Sequence, residues 1–344
     1  MGLITTSITR ALTVSLGVFW ASIVCIRFFF YTLFNPYAQK FWHVKQRDTP
    51  PSALNDPTLG THKYIQLKEV KIHYVEKGDN TKPLMLFVHG FPEIWYSWRH
   101  QMEEFSKDYW TVALDMRGYG DSDKPSGVTS YRMENLVNDI KEFIEAMGRD
   151  KCILVAHDWG GVVAWQFVRK YPEMLEKYII MDAPHPKGFR RHVLTSRSLF
   201  LKFWYVFFFQ LPYLPEIFMR SYDMKHFANM INNRDSKSKK YITDEDIEIY
   251  KHIFGKPGAY TAPINYYRAN LNRRNLINLS TDHKDLPGLL ISGEKSGILS
   301  SEMMDLAKIS EPCLKVEIVK GANHFLQQDD PNAVNEMIRN FLKD

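Results

Sequence analysis

The chain has 344 residues, 45% of them hydrophobic and 24% charged, with a net charge of +5. That length suits one large α/β domain with an insertion, or two smaller domains, and the composition is that of an ordinary globular protein. The basic residues are scattered among acids, so no nucleic-acid-binding stripe is present. Three cysteines, Cys25, Cys152 and Cys313, are too few and too widely spaced for a disulfide framework or a zinc site.

The N-terminus is apolar. Residues 11–34 read ALTVSLGVFWASIVCIRFFFYTLF, with Arg27 as the only charge, and this is long enough to cross a bilayer. No small-residue cleavage site follows the run, which favours an uncleaved transmembrane helix over a signal peptide. Arg10 stands before it, and Lys40, Lys45 and Arg47 stand after it. The positive-inside rule then places the C-terminal side in the cytosol. Residues 1–34 are thus expected to anchor the chain in a membrane. Residues 35–60, with Pro36, Pro50, Pro51 and Pro57 among polar neighbours, read as a linker.

A catalytic domain is expected over 61–344. Two alternating runs at 62–69 and 70–77 predict strands. Apolar runs at 84–88, 110–114, 153–156, 178–181, 289–291 and 316–319, interrupted only by Thr111 and Glu317, predict strands buried on both faces. Helical patterns, for example at 133–147 and 333–342, separate them. Strands alternating with helices imply an α/β fold around a mostly parallel sheet. The alternation breaks over 187–283, which reads as a helical cap inserted between strands 6 and 7. It holds the aromatic run FLKFWYVFFFQ at 200–210 and a polar run, NNRDSKSKK, at 232–240, expected to be a solvated loop.

The chemistry centres on Ala156-His157-Asp158-Trp159-Gly160-Gly161, between a strand-like and a helix-like run. Small residues two before and two after a central nucleophile make the nucleophile elbow of an α/β-hydrolase fold. Here the central residue is Asp158. A carboxylate nucleophile forms an ester with the carbon it attacks, which suits substrates opened or displaced at carbon. The plainer alternative is that Asp158 only caps the next helix. His89-Gly90-Phe91-Pro92 follows the third strand, where the fold supplies one N–H of an oxyanion hole. The two donors would be the backbone N–H groups of Phe91 and Trp159. After the last strand, Gly321-Ala322-Asn323-His324-Phe325 puts His324 where the fold carries its base, which would activate water against the Asp158 ester.

Together HGFPEIWYSWRHQ at 89–101, DMRGYGDSDKP at 115–125, AHDWGG at 156–161 and the late GANHF resemble the epoxide hydrolases of α/β-hydrolase fold, the membrane-anchored members above all. The resemblance spans residues 60–344 and extends to the N-terminal anchor. It implies two cap tyrosines that hydrogen-bond the epoxide oxygen, matched here by Tyr205 and Tyr267, and a pocket lined by Trp159. It also implies a lipophilic epoxide as substrate, a fatty-acid epoxide among the candidates. It implies no metal and no organic cofactor, and a location at the endoplasmic reticulum.

One position departs from that family. Its usual acid after the seventh strand is replaced in Gly293-Glu294-Lys295-Ser296-Gly297, where Ser296 stands at the acid position. A histidine base without a carboxylate partner loses several orders of magnitude in comparable triads. Asp182, at the end of the sixth strand, is the candidate substitute. Glu294 in that role, Asp182 as a turn residue, or no acid at all are the alternatives. The leading reading is an epoxide hydrolase. Behind it stand a hydrolase-fold binding protein that has lost turnover and, further back, a haloalkane dehalogenase, against which Phe91 and the cap tyrosines speak.

Overall fold

The structure is a computed structural model that describes residues 2–34, 40–187, 196–231, 241–271 and 285–343, with backbone alone for residues 2–10. In chain order its helices are α1 (Gly2–Phe34), α2 (Arg99–Phe105), α3 (Met133–Ala146), α4 (Trp159–Lys170), α5 (Arg197–Lys202), α6 (Trp204–Phe208), α7 (Leu214–Ile231), α8 (Asp244–Phe254), α9 (Thr261–Asn270), α10 (Ser301–Ser310), α11 (Leu326–Asp329) and α12 (Pro331–Lys343). The strands are β1 (Thr61–Gln66), β2 (Lys71–Lys77), β3 (Leu84–Val88), β4 (Trp110–Leu114), β5 (Cys152–His157), β6 (Leu175–Met181), β7 (Gly288–Gly293) and β8 (Leu314–Val319).

The strands form one sheet in the order β1-β2-β4-β3-β5-β6-β7-β8. β2 pairs antiparallel with β1 and β4, and every later pairing is parallel. Every residue of β3, β4, β5 and β7 is buried, as the apolar runs require. The flanking helices are amphipathic. α3 buries Leu136, Val137, Ile140, Phe143 and Ile144 on one face, and α12 buries Val334, Ile338 and Phe341. The expected strand at 62–69 ends earlier, because Leu67 N–H bonds to Val70 O at 2.9 Å and closes a turn there.

Helices α5 to α9 lie between β6 and β7, where the helical insertion was expected. The polar run at 232–240 falls outside the described residues. Residues 40–60 of the proline-rich run are more firmly held than a free linker. Arg47 is nearly buried and pairs with Asp223 on α7 at 2.7 Å and with Glu248 on α8 at 2.8 Å. Helix α1 is apolar over Ala11–Phe34, long enough by length and composition to cross a membrane; a signal sequence has the same character.

In an open parallel sheet the crevice beyond the C-terminal strand ends is where ligands bind. The segments leaving β3, β5, β6 and β8 at that edge carry Phe91, Asp158, Asp182 and His324.

Candidate active site

Asp158 follows β5 directly and opens α4. Its backbone is held at φ 48° and ψ −117°, a conformation an L-residue adopts only under constraint. Glycines in the turn and in the facing loop after β3 supply the room. A Cβ on Gly160 would stand 2.3 Å from Val88 O, and one on Gly90 would stand 2.4 Å from Asp158 Cβ. The result is a side chain held up at the tip of the turn. It makes no cap hydrogen bond to α4, so the helix-cap alternative for Asp158 does not describe it.

Phe91 N–H donates to Asp158 Oδ1 at 2.7 Å. Trp159 is the first residue of α4, and the first N–H groups of a helix have no acceptor within it. His324 lies on the other side. Its Nε2 is 3.4 Å from Asp158 Oδ2, and its Nδ1 is 2.9 Å from Asp182 Oδ2. Burial disfavours the imidazolium, but hydrogen bonds and charge from Asp158 and Asp182 outweigh it and raise the His324 pKa to about 10. Burial likewise works against the Asp158 carboxylate, yet His324 holds its pKa below the usual value.

Asp182 terminates β6 and is fully buried, with φ 46°. Its N–H is bound to Ile291 O at 2.9 Å, and its Oδ1 accepts from Ser292 Oγ at 2.9 Å, so β7 fixes its direction. The other acid positions point elsewhere. Ser296 Oγ accepts from Ile298 N–H within its own turn, and exposed Glu294 accepts from Gly321 N–H at 2.8 Å.

The cap lowers aromatic side chains over this edge. Tyr205 comes from α6 and Tyr267 from α9, with ring centroids 5.9 Å apart. Tyr267 also meets Trp159 edge-on at 4.9 Å and Phe91 at 5.4 Å. Burial first, then the Asp158 charge, pushes the Tyr205 phenol pKa above its ordinary value; Tyr267 is raised too, burial first, with Tyr205 and Asp158 behind it. Both phenols therefore stay neutral donors near neutral pH.

Sequence reasoning missed a buried polar layer behind the site. Glu93, fully buried, accepts from His157 Nδ1 at 2.7 Å, from Gln327 Nε2 at 2.8 Å and from Gly90 N–H at 3.1 Å. His157 Nε2 in turn lies 2.8 Å from the carbonyl oxygen of His324. The available signal was position: Glu93 sits two residues beyond Phe91, and His157 directly before Asp158.

Known proteins resemble this chain in sequence and in fold. Residues 83–331 match the α/β hydrolase fold family. Epoxide hydrolase 4 of Mus musculus is 40% identical over 304 residues, covering 87% of this chain and 84% of that protein. The chain belongs to the α/β-hydrolase-fold epoxide hydrolases. Epoxide hydrolase 1 of Caenorhabditis elegans is 44% identical over 289 residues, covering 81% of this chain and 70% of that protein. Among solved structures, an inhibitor complex of the Bacillus megaterium epoxide hydrolase superposes with a TM-score of 0.74 at 33% identity, covering 82% of this chain and all (100%) of that one. An epoxide hydrolase of Vigna radiata gives a TM-score of 0.71 at 29% identity, covering 83% of this chain and 98% of that one. Among the described residues no group of histidine, cysteine and acidic side chains could hold a metal ion.

Proposed function

We propose that this epoxide hydrolase opens lipophilic epoxides, fatty-acid epoxides among them, to vicinal diols through an ester on Asp158. Phe91 N–H engages Asp158 Oδ1, which leaves Oδ2 to attack an epoxide carbon. As that C–O bond forms, the ring C–O bond breaks and the oxygen takes a proton from Tyr205 or Tyr267. Water then adds to the ester carbonyl carbon and gives its proton to His324 Nε2. The oxyanion on Oδ1 is held by the N–H groups of Phe91 and Trp159. Its collapse expels the diol oxygen, which takes the proton from His324, and the proton left on the Asp158 carboxyl passes to the tyrosine phenolate, so that Asp158 and the phenol are both restored. Asp182 orients the imidazole and stabilises its charged form, as the buried acid of a hydrolytic triad does.

One observation carries this reading: His324 stands between Asp158 and Asp182, within 3.4 Å of one and 2.9 Å of the other. It also weighs against a turnover-deficient binding protein, whose best support was the serine at 296. The aromatic cap favours apolar substrates, and the apolar α1 favours action at a membrane, with the catalytic domain on the cytosolic face of the endoplasmic reticulum.

The test is diol formation from a fatty-acid monoepoxide by the full chain, beside Asp158→Ala. Diol from the unaltered protein alone is the expected result. A covalent adduct without diol would place the failure at the His324 step. Neither diol nor adduct across several epoxides, from folded protein, would refute the proposed activity.

A further inference from the structure

Helix α6 carries Tyr205 but has only five residues. So short a helix has little stability of its own, and its place is set by what packs on it. On the site side, Tyr205 meets Tyr267 and Phe209 at ring distances of 5.9 and 5.7 Å. On the far side, the packing comes from the N-terminal helix α1.

The contact uses a stripe of α1 at helical spacing. Thr13, Gly17 and Ala21 are buried although most of the helix is exposed, with Val18 at 52% and Phe19 at 55% exposure. A Cβ on Gly17 would stand 2.8 Å from the carbonyl oxygen of Phe207, so the backbones of α1 and α6 approach as closely as a missing side chain allows. One turn on, Trp20 packs between Phe200 at 6.3 Å and Trp204 at 6.0 Å, the latter directly before Tyr205. The chain returning from α1 is tied to the same cap by Arg47 at Asp223 and Glu248.

We propose that α1 is the outer brace of the cap, and that Gly17 and Trp20 are positioning residues that hold α6, and through it the Tyr205 phenol, over the epoxide. The apolar N-terminus thereby serves the reaction through residues 13–21. A hydrogen bond to a developing charge is effective only where its donor is already in place. Loss of the brace therefore slows ring opening, while His324, Asp182 and the hydrolysis of the ester stay as they are. This rests on the role assigned to Tyr205 above.

The experiment uses the full chain in detergent micelles with a water-soluble epoxide, so that membrane partitioning plays no part. Single-turnover rates of ester formation on Asp158 and of ester hydrolysis are measured for Gly17→Leu, for Val18→Leu on the exposed face, and for Tyr205→Phe. In parallel, a photoreactive p-benzoylphenylalanine replaces Trp20, and its crosslinks are mapped by mass spectrometry. Gly17→Leu is expected to slow ester formation about tenfold or more with ester hydrolysis unchanged, Val18→Leu to match the unaltered protein, and the crosslinks to fall on 200–208. Equal behaviour of Gly17→Leu and Val18→Leu, equal slowing of both steps, or crosslinks to detergent alone would overturn the brace. Ester formation unaffected by Tyr205→Phe would instead overturn the tyrosine's role, and the positioning claim with it, even where the crosslink shows the contact.

Discussion

The Asp182 carboxylate lies 2.9 Å from Nδ1 of His324, across 142 positions of sequence. Two features aim it there. The left-handed backbone at Asp182 turns the chain at the end of β6, and Ser292 on β7 holds the second carboxylate oxygen. Ser296, at the position where the sequence resemblance implied an acid, spends its hydroxyl within its own turn. The partner of the histidine thus comes from the end of β6, one strand earlier in the sheet.

Asp182→Asn tests that substitution of one acid for another. The amide preserves the packing and can still accept from Ser292, but it cannot stabilise an imidazolium. Ester hydrolysis is expected to fall on the order of 10²- to 10⁴-fold. Ester formation, which needs only the Asp158 carboxylate and the tyrosines, should persist. Rapid-quench mass spectrometry would then show the Asp158 ester accumulating during turnover. Steady-state turnover equal to that of the unaltered protein would rule Asp182 out.

The two carboxylates around His324 also dictate a pH response. In the resting protein they raise its pKa to about 10. Formation of the ester neutralises Asp158, so the pKa must fall in the intermediate, where His324 has to accept a proton. The rate of ester hydrolysis should therefore rise with pH through an apparent pKa well below 10, and ester should build up in acid. Stability runs the other way. A group whose folded pKa lies above its unfolded value of 6.5 contributes fully below pH 6.5 and loses that contribution as pH rises through about 10. Thermal unfolding across this range should show a steeper loss for the unaltered protein than for His324→Gln.

Removal of one phenol separates the two chemical steps. Tyr267 is buried and packs against both Trp159 and Phe91, so Tyr267→Phe keeps the ring contacts and deletes only the donor. Ester formation is expected to slow on the order of 10²-fold, the cost of one preorganised donor, with ester hydrolysis unchanged. Stopped-flow traces of intrinsic tryptophan fluorescence with a single turnover of epoxide would resolve the two. Equal loss in both steps would count against a role confined to ring opening.

Much of this site is legible in the sequence, because the features that build it are local. Apolar runs mark the buried strands from β3 to β7, and the small residues around Asp158 mark a tight turn in which a Cβ at Gly160 would meet backbone. What depends on distant packing is not legible. The motif at 293–297 shows that an acid is missing and the end of the sixth strand offers Asp182 as a candidate, but only the pairing of β6 with β7 shows it aimed at His324 by Ser292. Similarly, Pro36, Pro50, Pro51 and Pro57 suggest a linker, whereas Arg47 ties its described part to Asp223 and Glu248, some 176 and 201 positions away. The polar layer of Glu93 and His157 lies within the recognised motifs, yet its partners Gln327 and Gln328 come from the far end of the chain.

That layer gives the last prediction. Glu93 is fully buried, and burial would raise its pKa, but His157 outweighs this and keeps it below the ordinary value. Its carboxylate also takes Gln327, Gln328 and the Gly90 N–H, so it joins the loop bearing Phe91 to the helix following His324. An amide in its place would turn two donors toward neighbours that are themselves donors. Glu93→Gln is therefore expected to cost about 1–3 kcal/mol of stability, the penalty of leaving buried hydrogen-bonding groups unsatisfied. Glu294→Gln, at an exposed position with a single backbone contact, should cost less than about 1 kcal/mol. Urea unfolding followed by tryptophan fluorescence compares the two directly. Because His157 also holds the His324 carbonyl, the surviving Glu93→Gln protein should hydrolyse its ester more slowly than Glu294→Gln, and equal rates would confine Glu93 to a structural role.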